Sequence, residues 1–200
     1  MHLFDSCCEF TLRRPAGCLS LEEKKELLQL ARKTIENHLI KGKKEYPHTD
    51  NPKFSEKRGV FVTLHKKGDL RGCIGNPLPS KQLLEAVVDN AISSSSEDYR
   101  FPPVTVEELD DIDIEISVLT VPRKVNSYKD IVVGRDGIII SKSFMRGLLL
   151  PQVPVEQGWD LEQYISWGCR KAGLPADEWK RSIEIETFQG IVFGEKELGS

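Results

Sequence analysis

Gly59-Val60-Phe61-Val62-Thr63-Leu64-His65, Lys66-Lys67-Gly68-Asp69 and Leu70-Arg71-Gly72-Cys73-Ile74-Gly75-Asn76-Pro77 follow one another without a break, and how they are read decides the fold. The first is a β-branched and aromatic run of the buried-strand type, the second is a polar turn, and residues 70–74 are a returning strand. Together they predict a β-hairpin with Cys73 at a strand end. Glycine tolerates close backbone approach, so Gly72 and Gly75 around Cys73 point to an exposed or tightly approached thiol, with the Arg71 guanidinium close by in sequence.

Register decides whether His65 can serve Cys73. If His65 pairs with Leu70, Cys73 shares a face with Val62 and Leu64, and His65 points to the other side. An odd-length loop or a bulge pairs His65 with Asp69 and puts both on one face, still about four residues or roughly 13 Å apart along the strands. A Cys-His dyad is therefore not expected.

Beyond the hairpin, Gly75-Asn76-Pro77-Leu78-Pro79 reads as a turn, and residues 80–93 read as an amphipathic helix with Leu83, Leu84, Val87, Val88 and Ala91 on one side. The N-terminal N–H groups and positive dipole end of that helix would lie near Cys73, an arrangement that activates a thiol or binds an anion. A small side chain packed where a strand enters a turn accounts for Cys73 equally well. After Asp98-Tyr99-Arg100-Phe101, two prolines hold the backbone extended, so Arg100 is either an anion contact or one half of a structural salt bridge.

Upstream, Ser20 with Glu23 forms a capping box, and Leu21, Leu27, Leu28, Ala31, Ile35 and Leu39 set a helix over residues 21–40 that ends near Gly42. Downstream, Ile112, Ile114, Ile116 and Val118 alternate with Asp113, Glu115 and Ser117. That is a half-buried strand whose acidic face reads as solvated in preference to a catalytic carboxylate pair. Short strands at 131–134, 137–141 and 144–150 follow, with Arg135-Asp136-Gly137 as a hairpin signal. Gln152, Glu156 and Trp159 then bring an amide, a carboxylate and an indole into one segment able to line a pocket. Asp160 caps a helix to about Ala172 in which Cys169 is a core thiol, and residues 183–188 and 191–195 are the last strands.

Composition narrows the classes. A chain that is 39% hydrophobic and 30% charged is of the ordinary globular type, and a net charge of −3 gives no basic field for nucleic acid. No run approaches the ~18 apolar residues that span a bilayer, and the N-terminus lacks a basic-then-apolar leader, so a cytoplasmic protein without membrane attachment is expected. Cys7, Cys8, Cys18, Cys73 and Cys169 show no Cys-x-x-Cys spacing and read as reduced thiols, without a metal site or cofactor. The absence of Gly-x-Gly-x-x-Gly, Walker, His-Glu-x-x-His and Gly-x-Ser-x-Gly sequences removes the commonest nucleotide, zinc-protease and hydrolase classes. Hairpin strands outnumber helices, which predicts an α+β fold of two subdomains with mostly antiparallel sheets flanked by helices. The expected layout is an N-terminal extension over 1–19, a larger subdomain over 20–125 completed by 182–195, and a smaller one over 126–181.

Four ordered motifs now stand out: Leu70-Arg71-Gly72-Cys73-Ile74-Gly75, Arg100-Phe101-Pro102-Pro103, Leu149-Leu150-Pro151-Gln152-Val153 with Glu156 and Gly158-Trp159, and Lys171-Ala172-Gly173-Leu174-Pro175. Together they resemble the AMMECR domain family over about residues 20–195. The resemblance implies a two-subdomain α+β protein whose signature hexapeptide lies near a cleft, in a family without an established reaction. It also implies Memo-type and radical S-adenosylmethionine proteins as partners. The segment before Ser20 lies outside it.

Two functions stay open. In the favoured one, an enzyme or small-ligand site in a cleft has Cys73 as nucleophile and Glu156 as acid or base. Arg71, Gly72, Gly75, Asn76, Arg100, Gln152 and Trp159 then surround the ligand. In the other, a non-catalytic interaction or regulatory domain uses Arg100, Phe101 and Trp159 as anchors for a protein partner.

Overall fold

The capping box expected at Ser20 forms: Glu23 N donates to Ser20 Oγ at 3.2 Å, and Ser20 N donates to Glu23 Oε2 at 2.6 Å. It starts α1 (Leu21–Lys41), which stops where Gly42 takes φ 63°, a left-handed conformation suited to glycine. A computed structural model describes residues 19–199, so Cys7, Cys8 and Cys18, expected as free thiols in the N-terminal extension, lie outside the described residues. The fold is α+β with two four-stranded antiparallel sheets. The chain divides into two compact units, one running through Leu119 and resuming at Ile191, the other Thr120–Gly190.

The first unit holds α1, β1 (Lys57–Lys66), β2 (Asp69–Gln82), α2 (Leu83–Ser96), a 3-10 turn (Val106–Asp111) and β3 (Ile112–Leu119). The other unit follows, with β4 (Arg123–Lys124), β5 (Gly137–Lys142), β6 (Met145–Leu149), α3 (Gln152–Gln157), α4 (Leu161–Lys171) and β7 (Glu184–Phe188). Last come β8 (Gly190–Gly194) and α5 (Glu195–Leu198), and the sheet of the first unit has the order β2-β1-β3-β8. Strand alternation sorts the side chains. Val60, Val62 and Leu64 of β1 and Ile112, Ile114, Ile116 and Val118 of β3 are buried in one core with Leu27, Leu28 and Ile35 of α1 and Val87, Val88 and Ala91 of α2. Phe61, Thr63, His65, Asp113, Glu115 and Ser117 are half-buried on the opposite face.

Arg32 of α1 ties the end of the chain to this unit. Its Nη1 donates to Leu109 O at 2.8 Å, its Nη2 to Ile112 O at 2.6 Å and its Nε to Glu195 Oε1 at 3.0 Å. Ile114 N in turn donates to Glu195 Oε2 at 2.8 Å.

One expectation about this unit is corrected. The turn read at residues 75–79 is a continuation of β2 to Gln82, and the helix begins only at Leu83. Proline cannot donate to a ladder, but β2 is an edge strand, where Pro77 and Pro79 need no partner on the open side. The N-terminus of α2 is thus carried a full strand arm beyond Cys73.

In the second unit the sheet order is β4-β7-β5-β6. Ile138, Ile140, Tyr164, Ile165, Cys169 and Leu174 form its core, and Asp160 caps α4 through Gln163 N at 2.8 Å. No strand forms at 131–134. Val132 N donates to Asp136 Oδ2 and Asp136 N to Val132 O, each at 2.9 Å, closing a turn, and the hairpin bend lies instead at Ser143, φ 55°. Gly147 of β6 is where α4 ends against the sheet: a Cβ there would stand 2.3 Å from Ala172 N. Among the described residues no helix is long and apolar enough to cross a membrane.

Because backbone meets backbone at that point, Gly147→Ala should destabilise the protein by about 1–3 kcal/mol. Urea or thermal unfolding measures it; an unchanged midpoint would mean that the helix end shifts freely.

Candidate functional site

The β1/β2 register places Cys73. Thr63 pairs with Cys73 and Leu64 with Gly72, yet His65 pairs with Leu70, so Arg71 is one residue too many. This bulge changes the expected outcome. His65 does pair with Leu70, but beyond the bulge the faces of β2 exchange: Gly72 turns to the core, and Cys73 turns to the face of Thr63 and His65. His65 and Cys73 are then diagonal neighbours on one face, roughly 7–8 Å apart in such a ladder, where pairing of His65 with Leu70 was expected to put them on opposite faces.

The glycines of the motif face the chain itself. A Cβ on Gly72 would lie 2.2 Å from Ser94 O of α2, and one on Gly75 would lie 2.3 Å from the Phe61 ring. Gly72 lets the helix lie on the strand. Gly75 lets the Phe61 ring lie over β2, two residues along the strand from Cys73.

At the open edge of β2, the main chain of Cys73 is pinned by residues far along the sequence. Cys73 N donates to Asp98 Oδ2 at 2.8 Å, and Arg100 Nη2 donates to Cys73 O at 3.1 Å. Asp98 is buried and also accepts from Arg100 Nε at 2.9 Å and Nη2 at 2.6 Å. The Arg100 guanidinium, reinforced by the Cys73 N–H, holds the Asp98 carboxyl well below the ordinary carboxylate range. On the sulfur itself, Thr63 Oγ1 donates to Cys73 Sγ at 3.2 Å.

Arg71 makes a second anchor. Its Nε and Nη2 grip Glu108 Oε1 and Oε2 at 3.1 and 2.9 Å, and its Nη1 donates to Pro102 O at 2.9 Å. Glu108 also accepts from Lys66 Nζ at 2.9 Å and from Thr105 N at 3.0 Å. The Arg71 guanidinium is the main cause that brings the Glu108 carboxyl down to about 2.

Asn76 lies on the helix side of β2, where with Ser80, Asn90 and Ser93 it lines a pocket of about 280 Å³. The charges there satisfy one another, since Asp89 takes Lys44 Nζ and Tyr46 Oη, each at 2.7 Å, as well as Lys81. Gln152 and Glu156 are exposed on α3 in the second unit, and Trp159 stacks on Trp167 at 5.2 Å between centroids. Among the described residues no group of three or more His, Cys, Asp or Glu is placed to hold a metal ion. Sequence reasoning missed Asp98, Glu108 and Thr63 as site builders. Only the Asp98-Tyr99-Arg100 spacing, in which Asp98 Oδ1 also accepts from Arg100 N at 3.2 Å, hinted at one of them.

Glu108 titrates at about 2 when folded, against an ordinary value of 4.5, so its stabilising effect is complete above that value and disappears as pH falls toward 2. Glu108→Gln should therefore cost about 1–3 kcal/mol at neutral pH, with the gap from wild type closing as the medium is acidified. Urea midpoints across that range test this; a gap that stays constant would show that the carboxylate charge is not involved.

Comparison with known proteins places the chain. The AMMECR1 family model matches residues 28–193. Protein MJ0810 of Methanocaldococcus jannaschii is 50% identical over 188 residues, covering 90% of this chain and 93% of its own length. Protein PYRAB00100 of Pyrococcus abyssi is 46% identical over 182 residues, 85% of this chain and 89% of its own. The crystal structure of the uncharacterized protein PH0010 from Pyrococcus horikoshii is similar with a TM-score of 0.67 at 44% identity, covering 86% of this chain and 91% of that one. A family match across most of the length, on a fold of the same kind, leads to one conclusion: the chain belongs to the AMMECR1 family.

Proposed function

We propose that this protein carries a thiol-centred site for a small ligand or substrate on the face of β2, β1 and β3 away from the helices, with Cys73 as the reacting group. The observation that carries this reading is the treatment of one cysteine. Its main chain is held by Asp98 and Arg100, and its sulfur is hydrogen-bonded to Thr63 at 3.2 Å. A nucleophile needs to be fixed in place and still reachable. Cys73 is half-buried, whereas Cys169 is fully buried and its thiol is pushed up by that burial. The Arg100 side chain, 43% exposed beside the Cys73 carbonyl, supplies the cation that an anionic ligand would meet, while Arg71 holds the loop that carries it. A free thiol in this role fits a reducing, cytoplasmic setting.

A second reading is a docking domain for Memo-type or radical S-adenosylmethionine proteins. Tyr99, 94% exposed between Asp98 and Arg100, favours it, because a bare tyrosine next to an arginine is the composition of an interface anchor.

Alkylation of the folded protein by iodoacetamide, followed residue by residue by peptide mass spectrometry, separates the two. Under the first reading Cys73 reacts at least about tenfold faster than Cys169. Equal, slow reaction at both would sink the thiol site and leave Tyr99 as the residue to replace.

A further inference from the structure

Cys73, Thr63 and Glu115 stand in one row across three strands. Thr63 pairs with Cys73 on one side and with Glu115 on the other, and directly opposed side chains in an antiparallel sheet share a face about 4.5–5.5 Å apart. The Cys73 N–H and C=O point away from β1, toward Asp98 and Arg100. Cys73 and Thr63 are therefore a non-hydrogen-bonded pair, the kind that brings side chains closest, and their 3.2 Å contact follows from it. A thiol, a hydroxyl and a carboxylate thus succeed one another across the sheet.

Resting on the thiol reading above, we propose that Glu115 accepts the proton of Cys73 through the Thr63 hydroxyl. A hydroxyl both donates and accepts, and its hydrogen turns about the C–O bond. The oxygen that donates to Sγ can equally receive the thiol proton while passing its own to the carboxylate. Attack on an electrophilic carbon then balances: the S–C bond forms, and the leaving group departs with its electron pair. The thiol proton goes to Thr63, and the threonine proton goes to Glu115 and from there to water.

The other charged groups around Cys73 are already engaged or lie off the row. Asp98 and Arg100 hold each other at the strand edge, and Arg71 is bound to Glu108. Asp113, which pairs with His65 in the next row, is taken by Lys196. His65 is the remaining group able to take a proton, and it is only a diagonal neighbour of Cys73. Glu115 is half-buried and, among the described residues, in no ion pair. The ligand class that suits the row is a small electrophile with an apolar portion, since the Phe61 ring lies over Gly75, two residues from Cys73 on the same face.

The experiment is the pH dependence of Cys73 alkylation by iodoacetamide in the full chain, comparing wild type with Glu115→Gln, Glu115→Asp, Thr63→Val and Thr63→Ser. Circular dichroism checks that each variant is folded. The expected result is a fall of about tenfold in rate at neutral pH for Glu115→Gln and for Thr63→Val, with the profile displaced to higher pH. Thr63→Ser should retain the wild-type profile, and the double replacement should lose no more than either single one, because both break the same path. If neither Glu115 variant folds, a wild-type profile in Thr63→Val still overturns the proposal, because the path runs through that hydroxyl. A wild-type profile in Glu115→Gln overturns the proposal and leaves Thr63 as a positioning residue. A profile flattened by His65→Gln and untouched by Glu115→Gln also overturns it, making the histidine the base. If wild-type Cys73 is itself no more reactive than Cys169, it is the thiol reading that fails.

Discussion

The buried carboxylate of Asp98 is the interaction on which the architecture of the site depends. An edge strand presents unpaired N–H and C=O groups, and such an edge pairs with foreign strands unless it is covered. Here the Cys73 N–H on that edge is satisfied by Asp98, and the Cys73 carbonyl is satisfied by the arginine that also neutralises Asp98. A buried charge with fewer partners would be costly, but this one meets a main-chain donor and a bidentate guanidinium together. One group therefore closes the sheet edge, ties down the segment after α2 and fixes the backbone of the cysteine.

The same economy explains the motif around it. Gly72 and Gly75 have the look of a ligand-binding signature, yet the bodies that approach them are Ser94 and the Phe61 ring. Arg71 has the look of an anion-binding residue and instead staples Glu108 and Pro102 to the bulge that it creates. Much of the hexapeptide is therefore a packing device whose product is the orientation of a single side chain. Without the extra residue at Arg71, Cys73 would face the core with Val62 and Leu64; with it, the thiol joins Thr63 on the other face. The face that this side chain takes is a consequence of register.

What could be read in advance follows the range of the interaction. Capping at Ser20 and Asp160, the alternation of β3 and the β1/β2 hairpin are local, and each is present in the structure. Errors arose where a short-range signal competed with a distant one. Pro77 and Pro79 signal a turn, but an edge position tolerates them in a strand; Arg135-Asp136-Gly137 signals a hairpin, but the Asp136 carboxylate folds back onto Val132 N and closes a tighter turn. The alternation of β3 tells that Glu115 is on the face away from the core, but not that Thr63 lies opposite it.

By itself, then, the sequence determined the α+β class, the two helix starts, the hairpin and the family, since each rests on periodicity, capping or an ordered motif within a few residues. Only the tertiary structure decided which face carries Cys73, that Asp98, Arg100 and Thr63 contact it, and that Glu115 lies opposite Thr63 on the next strand. A one-residue bulge reverses every side chain beyond it, and the partners come from segments that only folding brings to the same sheet.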